Sequence, residues 1–274
     1  PRSVSLLARA YDTVLDARFD AVEGELQQAC GPAPPEACDL VRAAALWWRI
    51  QLDPLDRSRD GRFRASIDSV IEATSRWTAR EPRRAEAWFY LGAAYGVRVQ
   101  YRVLRLERLA AARDGKRIKE ALETALSLDA SLQDAHFGIG LYHYYADIGP
   151  SVLKLLRWLL LLPGGDRAAG LREMRQGRDH GELLRSEADY QLHLIALWYE
   201  NDVPGALKLL EGLRARYPHN PHFLQSIAET QTVYQHDHAA SLDSWRALLD
   251  LARQGLVALP GMSETRARIG LAEA

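Results

Sequence analysis

Apolar positions recur at steps of three and four along almost the whole chain, and no stretch sustains the apolar/polar alternation that a half-buried strand needs. Residues 3–29 set Leu6, Leu7, Ala10, Tyr11, Val14, Leu15, Phe19, Val22 and Leu26 on one stripe, interrupted near residues 17–19. Comparable stripes follow over 38–52, 61–80, 83–112, 115–128, 132–146, 150–162, 166–177, 187–200, 203–216, 220–234 and 238–254. The links between them are short and carry helix punctuation, such as Asp53-Pro54, Glu81-Pro82, Asp114-Gly115, Pro163-Gly164-Gly165-Asp166 and Pro218-His219-Asn220-Pro221. Short links make neighbouring helices antiparallel, and many such pairs in series form a stack. The expected fold class is all-α, a solenoid of antiparallel helix pairs.

Residues 86–95 align with residues 134–143, placing Trp88, Leu91, Gly92 and Tyr95 on His136, Ile139, Gly140 and His143. Residues 120–130 then read as an alanine-led second helix. In these residues the chain resembles the tetratricopeptide repeat family, whose hairpins carry a large residue, Leu-Gly and an aromatic on the first helix. The period here is 48 residues, against about 34 in that family, so the first hairpin is expected to have overlong helices and to protrude. A second match begins at Tyr190, with His193, Leu194 and Leu197, a turn at Asn201-Asp202, then Ala206, Leu210 and Leu213, closed by Pro218. Residues 221–253 resemble a degenerate further repeat. The organisation this implies is an N-terminal helical bundle over 1–82 packed on a repeat solenoid over 83–274.

In such repeats the first helices line the concave side. Carried over position by position, the resemblance implies a groove of Phe89, Phe137, Leu141, Tyr144, Tyr145, Gln191, Trp198 and Tyr199 that holds a peptide or partner subunit, with no catalytic residue. Rigid amphipathic rings are enriched in binding hot spots. The same register also allows the N-terminal helices to fold back and fill the trough.

Composition narrows the partners. Thirty-five basic residues against 36 acidic ones leave a net charge of -1, which offers nucleic acid no general attraction. Arg98, Arg102, Arg105 and Arg108 nevertheless share one helix face at spacings of four, three and three. Either carboxylates from a packed neighbour neutralise this row, or it docks an acidic or phosphate-bearing partner. No run of about 18 apolar residues is long enough to span a bilayer. Residues 151–162 form an apolar cylinder with a narrow strip of Ser151, Lys154 and Arg157, so the alternative function is a peripheral membrane or envelope assembly factor using that helix.

Cys30 and Cys38 flank a proline-rich link. They form either a disulfide or two small apolar helix ends; a disulfide would favour an oxidising compartment such as a bacterial periplasm. The chain starts at Pro1 without an initiator methionine, so a preceding segment is either removed by processing, as an export signal would be, or simply not included in this sequence. Gly-x-Ser-x-Gly, phosphate-loop and His-Glu-x-x-His patterns are all missing. The His219/His222 and His236/His238 pairs lack an evident third ligand. No cofactor and no metal are therefore expected, and the expected partner is a protein or peptide.

Overall fold

A computed structural model describes residues 2–148 and 164–274. The described residues contain helices and no strand. In chain order the helices are α1 (Arg2–Leu15), α2 (Val22–Ala29), α3 (Pro35–Leu52), α4 (Asp60–Arg80), α5 (Ala85–Leu104), α6 (Arg108–Leu128), α7 (Asp134–Ile148), α8 (Arg167–His180), α9 (Arg185–Trp198), α10 (Val203–Arg216), α11 (Pro221–Thr230), α12 (His238–Arg253) and α13 (Pro260–Glu273). A π-helical turn, Gln231–Gln235, continues α11. Consecutive helices pack against one another, which is the all-α paired architecture the periodicity implies.

The chain forms two compact units: unit 1 comprises Pro1–Ala8 with Leu26–Ala188, and unit 2 comprises Arg9–Glu25 with Asp189–Ala274. The expected boundary at residue 82 falls inside unit 1. The expected helix over 151–162 lies outside the described residues. No helix among those described is long and apolar enough to cross a membrane.

In unit 1, Pro35 supplies a preset φ at the start of α3, and the Cys30–Cys38 disulfide, S–S 2.08 Å, clips the preceding link to that first turn. The stripe Phe63, Ile67, Val70, Ile71, Thr74 and Trp77 is the buried face of α4. Its Phe63 ring lies 6.2 Å from Trp47 on α3 and 4.8 Å from Tyr101 on α5. The helices α5 and α6 are long, 20 and 21 residues, as the 48-residue period implies. Their turn, however, falls at residues 105–107, and Asp114-Gly115 lies within α6.

Glycine sets the distance between α7 and α8. A Cβ at Gly140 would stand 2.6 Å from the Gly170 carbonyl oxygen and 2.7 Å from the Met174 nitrogen. These are backbone atoms and cannot swing away. Gly140→Ala is expected to destabilise the protein by about 1–3 kcal/mol despite alanine's better helix propensity. Gly96→Ala on α5, where a Cβ meets nothing within 4 Å, should instead be neutral or stabilising. Urea unfolding of both variants checks the contrast; equal effects would remove the packing explanation. Beside this pair the buried Asp134 carboxylate accepts from the Glu182, Leu183 and Leu184 nitrogens at 2.9, 3.0 and 2.7 Å, fixing the approach to α9.

In unit 2 three helix starts are capped by a side chain: Asp202 accepts from Gly205 N at 2.9 Å, Asn220 from His222 N at 3.0 Å and Asp237 from Ala240 N at 3.0 Å. Leu224, Ala228, Trp245, Leu248 and Ala267 form a core cluster, with Gly270 of α13 lying flat against the Trp245 ring. The first helix is stitched to the α10–α11 link. Asp16 accepts from His219 N at 3.1 Å and pairs with its ring Nδ1 at 2.8 Å, the Asn220 amide donates to the Leu15 carbonyl at 2.7 Å, and the Tyr217 hydroxyl donates to Asp12.

Candidate functional site

The arginine row on α5 is answered from inside unit 1. Arg98 forks onto Asp114 at 2.9 and 2.8 Å and reaches Asp68 at 2.7 Å. Arg102 donates to the same Asp114 carboxylate at 2.6 Å. Arg105 forks onto Asp60 at 2.9 and 2.7 Å. Asp114 is fully buried, and among the described residues its charge is matched by these guanidinium groups, with Arg117 farther out at 3.7 Å. Burial alone would lower the basicity of Arg98; the hydrogen bonds from Asp114 and Asp68 more than offset it and leave its pKa raised. The Arg98 and Arg117 guanidinium groups also lie 5.1 and 5.3 Å from the Tyr95 ring centroid. A docking face made of Arg98, Arg102 and Arg105 is thereby corrected: these three are structural, and of the row only Arg108 is exposed and outside an ion pair among the described residues.

The predicted groove residues separate into two sets. Phe89, Phe137, Tyr144 and Gln191 are buried, and Leu141 is half-buried. Phe137 is covered by Gly177, and the Tyr144 backbone lies against Gly170, so these residues hold helices together and present no surface. Tyr145, Trp198 and Tyr199 are exposed, at 38%, 58% and 47%. Tyr145 belongs to unit 1; the other two close α9 in unit 2.

Two apolar residues that the repeat register did not single out join the unit 2 pair. Tyr190 near the start of α9 lies 6.3 Å from Phe223 near the start of α11, ring to ring, and 5.7 Å from His222. In the same unit the π-helical turn leaves Val233 and Tyr234 59% and 40% exposed. That turn ends at His236 in the left-handed region, φ 56°, a departure from helix often found at functional sites. The sequence signal was there, an aromatic beside a β-branched residue next to a breaker, but helical periodicity alone reads it as one more turn of stripe.

Four of the eight histidines, His143, His193, His219 and His222, behave as packing groups or partners of carboxylates, whereas His180, His236 and His238 are exposed. His193 is buried, and burial first, then the neighbouring His222, pushes its pKa down to about 3. Burial likewise lowers His222 to about 4, with Arg266 adding to the effect. His143 pairs with Glu173 at 2.7 Å and His219 with Asp16. Among the described residues no group of three or more His, Cys, Asp or Glu side chains is placed to hold a metal ion.

The fold is thus that of an all-α protein of consecutively paired helices. No family profile and no curated protein matches the chain. Among solved structures it is similar to one titled "Crystal structure of MamA", at 14% identity over 80% of this chain and 96% of that chain, with a TM-score of 0.38. At that score the likeness adds nothing to what the helices themselves show.

Proposed function

We propose that the protein is a non-catalytic interaction scaffold of tetratricopeptide-like helical hairpins, and that unit 2 holds a protein or peptide partner on Trp198 and Tyr199, extended by Val233 and Tyr234. One observation carries this reading. Trp47, Trp48, Trp77 and Trp245 are 4%, 1%, 4% and 5% exposed, so the fold readily buries tryptophan, yet Trp198 is left 58% open beside another exposed ring. Adjacent exposed aromatics are the commonest anchors of protein interfaces, because they bury large area while losing few rotamers. Glu200, Asp202 and Asp237 lie close by in sequence and favour a partner segment that combines apolar with basic residues. The disulfide supports function in an oxidising compartment.

The test is affinity capture from the native source with the wild-type chain, Trp198→Ala and Tyr199→Ala, with partners quantified by mass spectrometry. Both substituted side chains are exposed, so thermal melts should stay within about 0.5 kcal/mol of wild type. A specific partner should fall by about tenfold or more in each variant. Equal recovery with all three proteins would reject the reading.

A further inference from the structure

We propose that the end of unit 1 formed by the α3–α4 and α5–α6 turns docks onto a membrane surface rich in anionic lipid. This inference is independent of the aromatic patch in unit 2. Because α3, α4, α5 and α6 pack in sequence and alternate in direction, the turn after α3 and the turn after α5 lie at the same end of the unit. Arg105 ties the two turns together: its guanidinium donates to the Pro54 carbonyl at 2.6 Å while forking onto Asp60 at the start of α4. The platform is therefore one rigid piece.

Its apolar residues point outward. Leu55 is 90% exposed, Leu106 74%, Val103 61% and Leu109 50%. Leu106 adopts φ 62°, the left-handed region that a leucine rarely occupies, and the surrounding hydrogen bonds, Leu106 N to Val103 O at 3.1 Å and Glu107 N to Arg102 O at 2.8 Å, hold it there. A strained backbone that thrusts a leucine into solvent is an outlier from which function can be argued.

The rim supplies the sign of the partner. Residues 53–64 hold four arginines and three aspartates, and residues 101–114 hold four arginines against Glu107 and Asp114, a local excess of three positive charges on a chain whose net charge is -1. Arg57, Arg62, Arg64, Arg108 and Arg113 are exposed and, among the described residues, outside any ion pair. Charges this close to an anionic surface act within a Debye length of it. Leu55 and Leu106 lie in the two turns, Val103 and Leu109 on the adjoining ends of α5 and α6, and none of the four is aromatic. A protein interface needs a broad complementary face; headgroups accept isolated leucines from above while arginine stems snorkel around them.

The experiment is vesicle co-sedimentation of the full chain with phosphatidylcholine alone and with phosphatidylcholine plus phosphatidylglycerol. The wild type should sediment with the anionic vesicles, not with the neutral ones, and be released by salt. Leu55→Ser with Leu106→Ser, and separately Arg57→Glu with Arg108→Glu, should each lower partitioning by about tenfold or more. Their melts should be unchanged, because all four positions are exposed, and Trp198→Ala should bind vesicles like wild type. Failure of the wild type to sediment with anionic vesicles overturns the proposal. So does undiminished binding of the paired variants, which would put the affinity elsewhere in the chain. A dimer that Leu106→Ser dissolves, without vesicle binding, would assign the patch to a second copy and equally overturn it.

Discussion

Replacing Asp114 by alanine should lower the stability of unit 1 by about 3–5 kcal/mol, the range found when one member of a buried ion pair is removed. The expectation follows from what the carboxylate leaves behind. The Arg98 side chain is 12% exposed and that of Arg102 22%, and both direct donors at the same fully buried carboxylate. Without it two guanidinium groups keep their charge and lose three hydrogen bonds, Arg98 keeping Asp68 and Arg102 keeping the Ala110 carbonyl, where little water reaches them. The loss is a stranding effect more than the net value of the pair, so Asp114→Ala combined with Arg98→Met should recover part of it. Glu72→Ala provides the comparison, since its partner Arg76 is 64% exposed and the pair should be worth less than about 0.5 kcal/mol. Urea denaturation of the four proteins at neutral pH measures all of this. An Asp114→Ala effect no larger than that of Glu72→Ala would show that the cluster is not structural.

Acid should weaken unit 2 well before ordinary carboxylates titrate, and His193 is the reason. In the unfolded chain its imidazole protonates near 6.5, whereas in the folded one burial holds it down to about 3. Between these two values the unfolded state binds more protons, so stability is complete above pH 6.5 and falls as the pH drops toward 3. From pH 6.5 to 4 the loss from this group is on the order of 3 kcal/mol. His222, lowered to about 4 and sharing a 3.2 Å hydrogen bond with the Tyr190 hydroxyl, adds to it in the same direction. Among the described residues the buried His193 Nδ1 has no hydrogen-bond partner, so a leucine of similar size loses no bond from that atom. His193→Leu should therefore flatten the acid limb while leaving neutral stability near wild type. The check is unfolding midpoints at several pH values from 7.5 to about 4; parallel curves for the two proteins would exclude His193 as the cause.

The sequence made the helices legible because their buried faces repeat at helical spacing, and it made the Cys30–Cys38 contact legible because only seven residues lie between them. Three features escaped for identifiable reasons. Asp114-Gly115 has the chemistry of a helix stop, yet the Asp114 side chain is spent on arginines of α5, and the helix runs through it. The partners of Arg98 and Arg105 lie 30 and 45 residues away on α4, beyond the reach of local spacing rules. The helix α13 spreads its few apolar residues around its circumference, so it has no stripe; Pro260 at its start and Gly270 against Trp245 are what position it.

The candidate surface was only half legible for a related reason. Repeat register says which helix a residue occupies and not whether a neighbour covers it, so Phe137 and Trp198 looked equivalent. What separates them is a glycine: Gly177 on α8 lets a helix close over Phe137, whereas Trp198 stands at a helix end. The exposed Leu55 and Leu106 of unit 1 were invisible because they sit in turns, where periodicity carries no information.

The stitching of Asp12, Leu15 and Asp16 to Tyr217, His219 and Asn220 has a temporal side. A ribosome releases the first of these residues roughly two hundred codons ahead of the last, which at about 5–20 residues per second is a wait of some 10–40 s. Throughout it the helix that carries Asp12 and Leu15 has this cover still unmade, so unit 2 cannot close until residues 217–220 have emerged.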